Sequence, residues 1–168
     1  MTWDAYNRRK EVLHQVLAIA ELHRGETAAE LLAEIEGDNP SALNELDLLF
    51  DAQMAWSQIL NSRMDSVAFL GDSDLESAAI EAWHAAADDV PVLRHLLDSH
   101  VDMPELQTAF KKEHEFLARA AGIAPDYVGI ERVGRELKHK AASTKVYAET
   151  IPGTPAGIFG RLREALAA

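Results

Sequence analysis

Three Glu-x-x-His pairs stand out among the residue types that do chemistry: Glu11/His14, Glu81/His84 and Glu136/His139. One helical turn separates the members of each pair. That spacing lets a helical bundle present a carboxylate and an imidazole to one metal ion. Direction matters more than number, because a bundle metal centre needs its ligands projecting inward. With Val16 as the centre of the first apolar face, Glu11 and His14 point roughly 140° and 160° away from it. Around Trp83, Glu81 falls on the far side and His84 on the flank, and around Val133 and Leu137 His139 is nearly opposite. The pairs therefore read as solvated. Neither a buried metal nor any other cofactor is expected, and a surface metal would draw on Glu81, His84, His95 and Asp98.

His95 also pairs with Asp98 and Asp102, which share its side if the helix runs that far. A carboxylate can orient such an imidazole as an acid–base group, but the neighbouring Leu93, Leu96 and Leu97 favour a half-exposed structural histidine. The run Lys111-Lys112-Glu113-His114-Glu115 reads as a solvated helix face. Other chemistry is missing from the pattern. The chain has no cysteine, which removes thiol nucleophiles, Cys-bound zinc and disulfides. There is no Gly-x-Ser-x-Gly elbow, no phosphate loop, no dinucleotide fingerprint and no His-Glu-x-x-His. The reading leans away from an enzyme.

The elements that must position these residues are helical. Alanine (28 residues) and leucine (20) dominate the 168-residue chain, and both favour helix, while strand-type alternation is absent. The alanine excess also suits a GC-rich bacterial genome. The expected fold is an all-α, single-domain bundle of six or seven helices with a short C-terminal docking helix. Its first helix spans about Trp3 to His23, with Val12, Leu13, Val16, Ile19 and Ala20 on one face. Thr27 with Glu30 forms a capping-box pattern for a second, short helix ending near Gly37. Asn39-Pro40 reads as the start of a third helix reaching about Met64, whose broad apolar arc makes it the central element. A connection over Asp65–Asp72 leads to a Ser73/Glu76 capping box and a helix to about Ala87. Pro91 starts a shorter helix, Asp102, Pro104 and Glu105 open one that closes at Gly122, and Pro125 begins another, weakened by Gly129 and Gly134.

The domain division follows composition: residues 1–144 form an acidic helical bundle, and residues 145–168 a Pro/Gly-hinged basic tail. Thr150–Gly160 holds two prolines and three glycines, after which Ile158, Phe159, Leu162 and Leu166 form an apolar stripe. A helix that short needs something to dock on.

Charge is just as uneven. The net charge is −12, yet residues 127–168 carry 7 bases against 4 acids. Between Gly25 and Leu93 the sole base is Arg63, against 15 acids. The favoured explanation is a basic tail, including Arg132, Arg135 and Lys138, folded over the acidic body of the same or a second copy. An acidic body repels a duplex, so sequence-specific nucleic-acid binding is not expected. No apolar run approaches a membrane span, and MTWDAYNRRK lacks a signal peptide's apolar core. These features point to a cytoplasmic, non-enzymatic protein-interaction or self-association module. In it the stripe Ile158, Phe159, Leu162 and Leu166, with Arg132, Arg135 and Lys138, would dock a protein partner or a second copy. The alternative is a bundle that binds a small apolar ligand among Met54, Trp56, Trp83 and Phe110, or a metal through Glu and His side chains.

Overall fold

A computed structural model of the chain describes residues 3–23, 26–35, 43–68 and 74–150. Among these residues there are seven α-helices, one 3-10 turn and no strand: α1 (Trp3–Leu22), α2 (Ala28–Glu34), α3 (Glu45–Ala68), α4 (Leu75–Asp89), α5 (Pro91–Asp98), the 3-10 turn Pro104–Leu106, α6 (Gln107–Ala120) and α7 (Ile130–Thr150). The fold is all-α, as expected.

Local chemistry sets most helix ends. Thr27 and Glu30 complete a capping box: the hydroxyl accepts from the Glu30 N–H at 3.3 Å, and the Glu30 carboxylate accepts from the Thr27 N–H at 2.7 Å. Val90 closes α4 and Pro91 opens α5, where its missing N–H has no helical partner to lose. At the end of α6 the Gly122 N–H donates to the Arg119 carbonyl and the Ile123 N–H to that of Ala118, each at 3.0 Å. Gly122 takes φ +86°, the left-handed turn this closure requires.

Five boundaries depart from the sequence expectation. α3 starts at Glu45 rather than at Pro40, because Asn44 Oδ1 accepts from the Asp47 N–H at 2.8 Å and supplies the cap. The same helix runs to Ala68, a turn beyond Met64, and Asn39, Pro40, Phe69 and Leu70 lie outside the described residues. Asp74, not Ser73, caps α4 by accepting from the Glu76 N–H. The last described helix starts at Ile130, since Pro125–Gly129 are turns and Gly129 has φ +96°, and it continues past Thr144 to Thr150.

The core is built around α3, which packs on α1, α2, α4, α5 and α6. Trp56 at its centre is fully buried and meets Trp83 of α4 edge-on, with ring centroids 5.8 Å apart. α4 answers these large rings with small buried residues, Ala79, Ala82, Ala86 and Ala87, so its axis lies close to its neighbours. The most extensive interface joins α6 and α7. It depends on Gly134, since a Cβ there would overlap the His114 carbonyl. That residue was expected to weaken its helix; it is the position that lets the helix dock.

Candidate functional site

α3, α5 and α6 place three polar side chains inside this core: Gln53 (5% exposed), Arg94 (4%) and Glu113 (5%). Their burial follows from register. Gln53 lies on the stripe Leu49–Gln53–Trp56–Leu60 of α3, and Glu113 on the stripe Leu106–Phe110–Glu113–Leu117 that runs from the 3-10 turn into α6. Both stripes step four, three and four residues, so each polar residue occupies an inward position. Arg94 sits beside Leu93 and Leu97 on the buried side of the short, eight-residue α5.

The guanidinium is the hub. Arg94 donates to Glu113 Oε1 at 3.2 Å and, from Nε and Nη2, to both Asp98 carboxylate oxygens at 3.1 and 2.7 Å. Its Cζ lies 4.7 Å from the centroid of the Trp56 ring, a cation–π contact that burial strengthens. Gln53 Nε2 donates to Glu113 Oε2 at 3.2 Å. Lys138, from α7, sits 3.4 Å from Asp98 and 5.3 Å from the Phe110 ring centre. Burial alone would push the Glu113 carboxyl up, but the Arg94 and Lys138 charges and the Gln53 hydrogen bond outweigh it and hold the group below its ordinary range. His114 is shifted down by burial and by the Lys138 charge, against the opposing pull of Glu113 and Glu131.

Such a cluster does little proton chemistry. A carboxylate stabilised as the anion is a poor base, and a guanidinium only donates. Its work is to set the relative positions of α3, α5 and α6. A cleft of about 230 Å³ opens beside it, lined by Gln53, Ser57, Leu60, Lys112, Glu113 and Phe116 among others. Gln53 Oε1 is shut off from solvent and has no hydrogen-bond partner among the described residues. The amide cannot turn round to relieve this, because a carboxylate accepts only and Nε2 must face Glu113.

The residues singled out from sequence fall elsewhere. Glu11, His14, Glu81, Glu136 and His139 are exposed, as their directions implied, and His84 is half-buried with its ring against Trp83. His95 is exposed, Asp98 is taken by Arg94, and α5 stops at Asp98, so Asp102 does not continue that side. The expectation of a solvated face over residues 111–115 is wrong at Glu113, which the inward stripe of α6 carries into the core. Trp56, Trp83 and Phe110 are packed in the core, whereas Met54 is 59% exposed. Arg132 and Arg135 are exposed and pair with Glu136 and Glu131 on their own helix, while Lys138 is 13% exposed and engaged within the chain. Ile158, Phe159, Leu162 and Leu166 lie outside the described residues. The bases of α7 do meet acids of the body: Lys138 reaches Asp98 on α5 and Lys140 reaches Glu76 on α4. Arg9, within the basic run of α1, clamps Asp51 through two bonds of 2.7 and 2.8 Å. Arg94, Gln53 and the Glu113 contact were missed, although their stripe positions were visible.

No protein-family model, curated protein or solved structure matches the chain. Among the described residues no helix is long and apolar enough to cross a membrane.

Proposed function

We propose that this protein is a non-enzymatic interaction module that associates with a second copy of itself. The observation carrying this reading is at the start of α1. Trp3 is 74% exposed and Tyr6 46% exposed, with their rings stacked 5.8 Å apart. Large aromatic side chains held in register on a solvated helix match the residue types that anchor protein interfaces. Arg8 and Lys10, also exposed, flank the pair, whereas the chain as a whole carries −12. A basic, aromatic helix end on one copy thus complements the acidic body of another. The Arg94–Glu113 ion pair, with its carboxylate held as the anion, supports a scaffold rather than a proton-transfer centre. The same reading sets the module in a bacterial cytoplasm, where a cysteine-free chain needs no oxidising compartment.

Light scattering across a concentration series tests this. The full chain should self-associate, more weakly as salt rises, and a Trp3→Ser/Tyr6→Ser variant should remain monomeric with an unchanged thermal transition. A wild-type chain that stays monomeric at high concentration, or a variant that associates as well as wild type, overturns it.

The α3–α6 cleft supports a second role, binding a small ligand with an N–H or O–H donor and an apolar body. The unpartnered Gln53 oxygen favours it. Native mass spectrometry of freshly purified protein would show the added mass, and an apo mass alone would count against it.

A further inference from the structure

Away from the core cluster, the junction of α1 and α2 gathers three metal-ligating side chains. His23 follows the last turn of α1, Glu26 precedes the Thr27 cap, and Glu34 ends α2. One ligand atom from each lies within 4.8 Å of the other two. His23 Nδ1 stands 3.3 Å from Glu26 Oε1 and 3.2 Å from Glu34 Oε1. These separations are close to those of ligands sharing a metal. Tetrahedral zinc, with bonds of roughly 2.0–2.2 Å, sets its ligands roughly 3.3–3.6 Å apart.

A second observation, independent of the clustering, points the same way. The other Glu26 oxygen, Oε2, is itself closed off from solvent, although the side chain as a whole is 34% exposed, and it has no hydrogen-bond partner among the described residues. A carboxylate oxygen is costly to hide without a donor or a cation nearby. A divalent ion on the Glu26 carboxylate would supply the missing positive charge, and the imidazole selects its type. One nitrogen with two carboxylates suits Zn²⁺ and its neighbours, whereas Ca²⁺ and Mg²⁺ favour all-oxygen sites.

We infer that His23, Glu26 and Glu34 form a surface site for a transition-metal divalent cation such as Zn²⁺, tying the end of α1 to the end of α2. Three protein ligands leave a fourth position open to water. The ligands come from twelve consecutive residues, so the ion closes one short loop and does not bridge distant parts of the fold. None of the three belongs to the Glu-x-x-His pairs; the spacing is His-x-x-Glu-x7-Glu, with the carboxylates C-terminal to the histidine.

The test is calorimetric titration of Zn²⁺ into untagged, chelator-stripped full-length protein, with circular dichroism to confirm that each variant is folded. One Zn²⁺ per chain should bind, and His23→Ala and Glu34→Gln should each weaken binding by about tenfold or more. His14→Ala, which removes an exposed imidazole of the same helix outside the cluster, should leave the affinity unchanged. Co²⁺ in place of Zn²⁺ should give the visible absorption of a tetrahedral site, lost in His23→Ala. Absence of binding in Zn²⁺ excess overturns the inference. So does binding that His23→Ala leaves intact, or that His14→Ala reduces equally, since either reports adventitious surface binding only.

Discussion

Two of this protein's clusters, each setting one nitrogen-bearing side chain against two carboxylates, differ in almost everything else. Arg94 with Asp98 and Glu113 is built from α5 and α6, with the guanidinium 4% exposed and lying over the Trp56 ring. His23 with Glu26 and Glu34 joins the ends of consecutive helices, with side chains from about a third to a half exposed. Burial removes choice from the first. The guanidinium is always charged, Glu113 is held ionised, and each has protein partners that water cannot replace. Exposure leaves the second open, for its imidazole can take up a metal ion without disturbing the core. The same elementary charges make a structural joint in one place and an exchangeable site in the other.

The largest effect that can break this contrast is removal of one partner from the buried cluster. Arg94→Ala leaves Glu113 buried without its main countercharge and should cost about 3–5 kcal/mol in urea unfolding. A paired Arg94→Met/Glu113→Leu replacement should recover much of that loss, because it removes the charges together and keeps the volume. If Arg94→Ala cost no more than an exposed substitution, about 0.5 kcal/mol, the cluster would not hold these helices in place.

Acid provides a smaller and graded version of the same experiment. Glu113 has a folded-state pKa below its ordinary 4.5, so it binds its proton later in the folded chain than in the unfolded one. Its stabilisation is complete above pH 4.5 and drains away as pH falls through the lower folded value. His114, also shifted down from 6.5, acts in the same direction but earlier, beginning as pH drops below 6.5. Unfolding free energies measured from pH 7 to 3 should fall in two stages. Glu113→Gln should reduce the second, leaving the part due to Glu30, whose carboxyl is also held low by its hydrogen bonds to Thr27, and His114→Phe should reduce the first.

How far all this could be read beforehand varies with the physics involved. The Thr27/Glu30 capping box, the Val90-Pro91 break and the Gly122 closure are local signals, and the helices they delimit follow directly. The centrality of α3 was legible from its broad apolar arc. Gly134 was misread because its cost is local and its benefit lies in the approach of α6, which no single-helix pattern displays. Glu113 was misread because the charged neighbours Lys111, Lys112 and Glu115 masked its place on the Leu106–Phe110–Leu117 stripe. The His23 site escaped for a different reason. Its ligands come from the ends of two helices, and the periodicity within one helix does not bring such residues together.

The smallest expected effect is at that junction. In metal-free protein, His23→Ala removes contacts of 3.2 and 3.3 Å to two glutamates, but all three groups retain access to water. Exposed pairs of this kind contribute little, because solvent screens the attraction and ordering the side chains costs entropy. Unfolding stability at pH 7 should therefore change by no more than about 0.5 kcal/mol. Addition of Zn²⁺ should then separate the two proteins, raising the unfolding temperature of wild type alone, since an ion that binds only the folded state stabilises it by mass action. A loss from His23→Ala without metal as large as that from Arg94→Ala would erase the distinction. The exposed cluster would then be a structural joint like the buried one, and its carboxylates would be committed to the imidazole in every state of the folded chain.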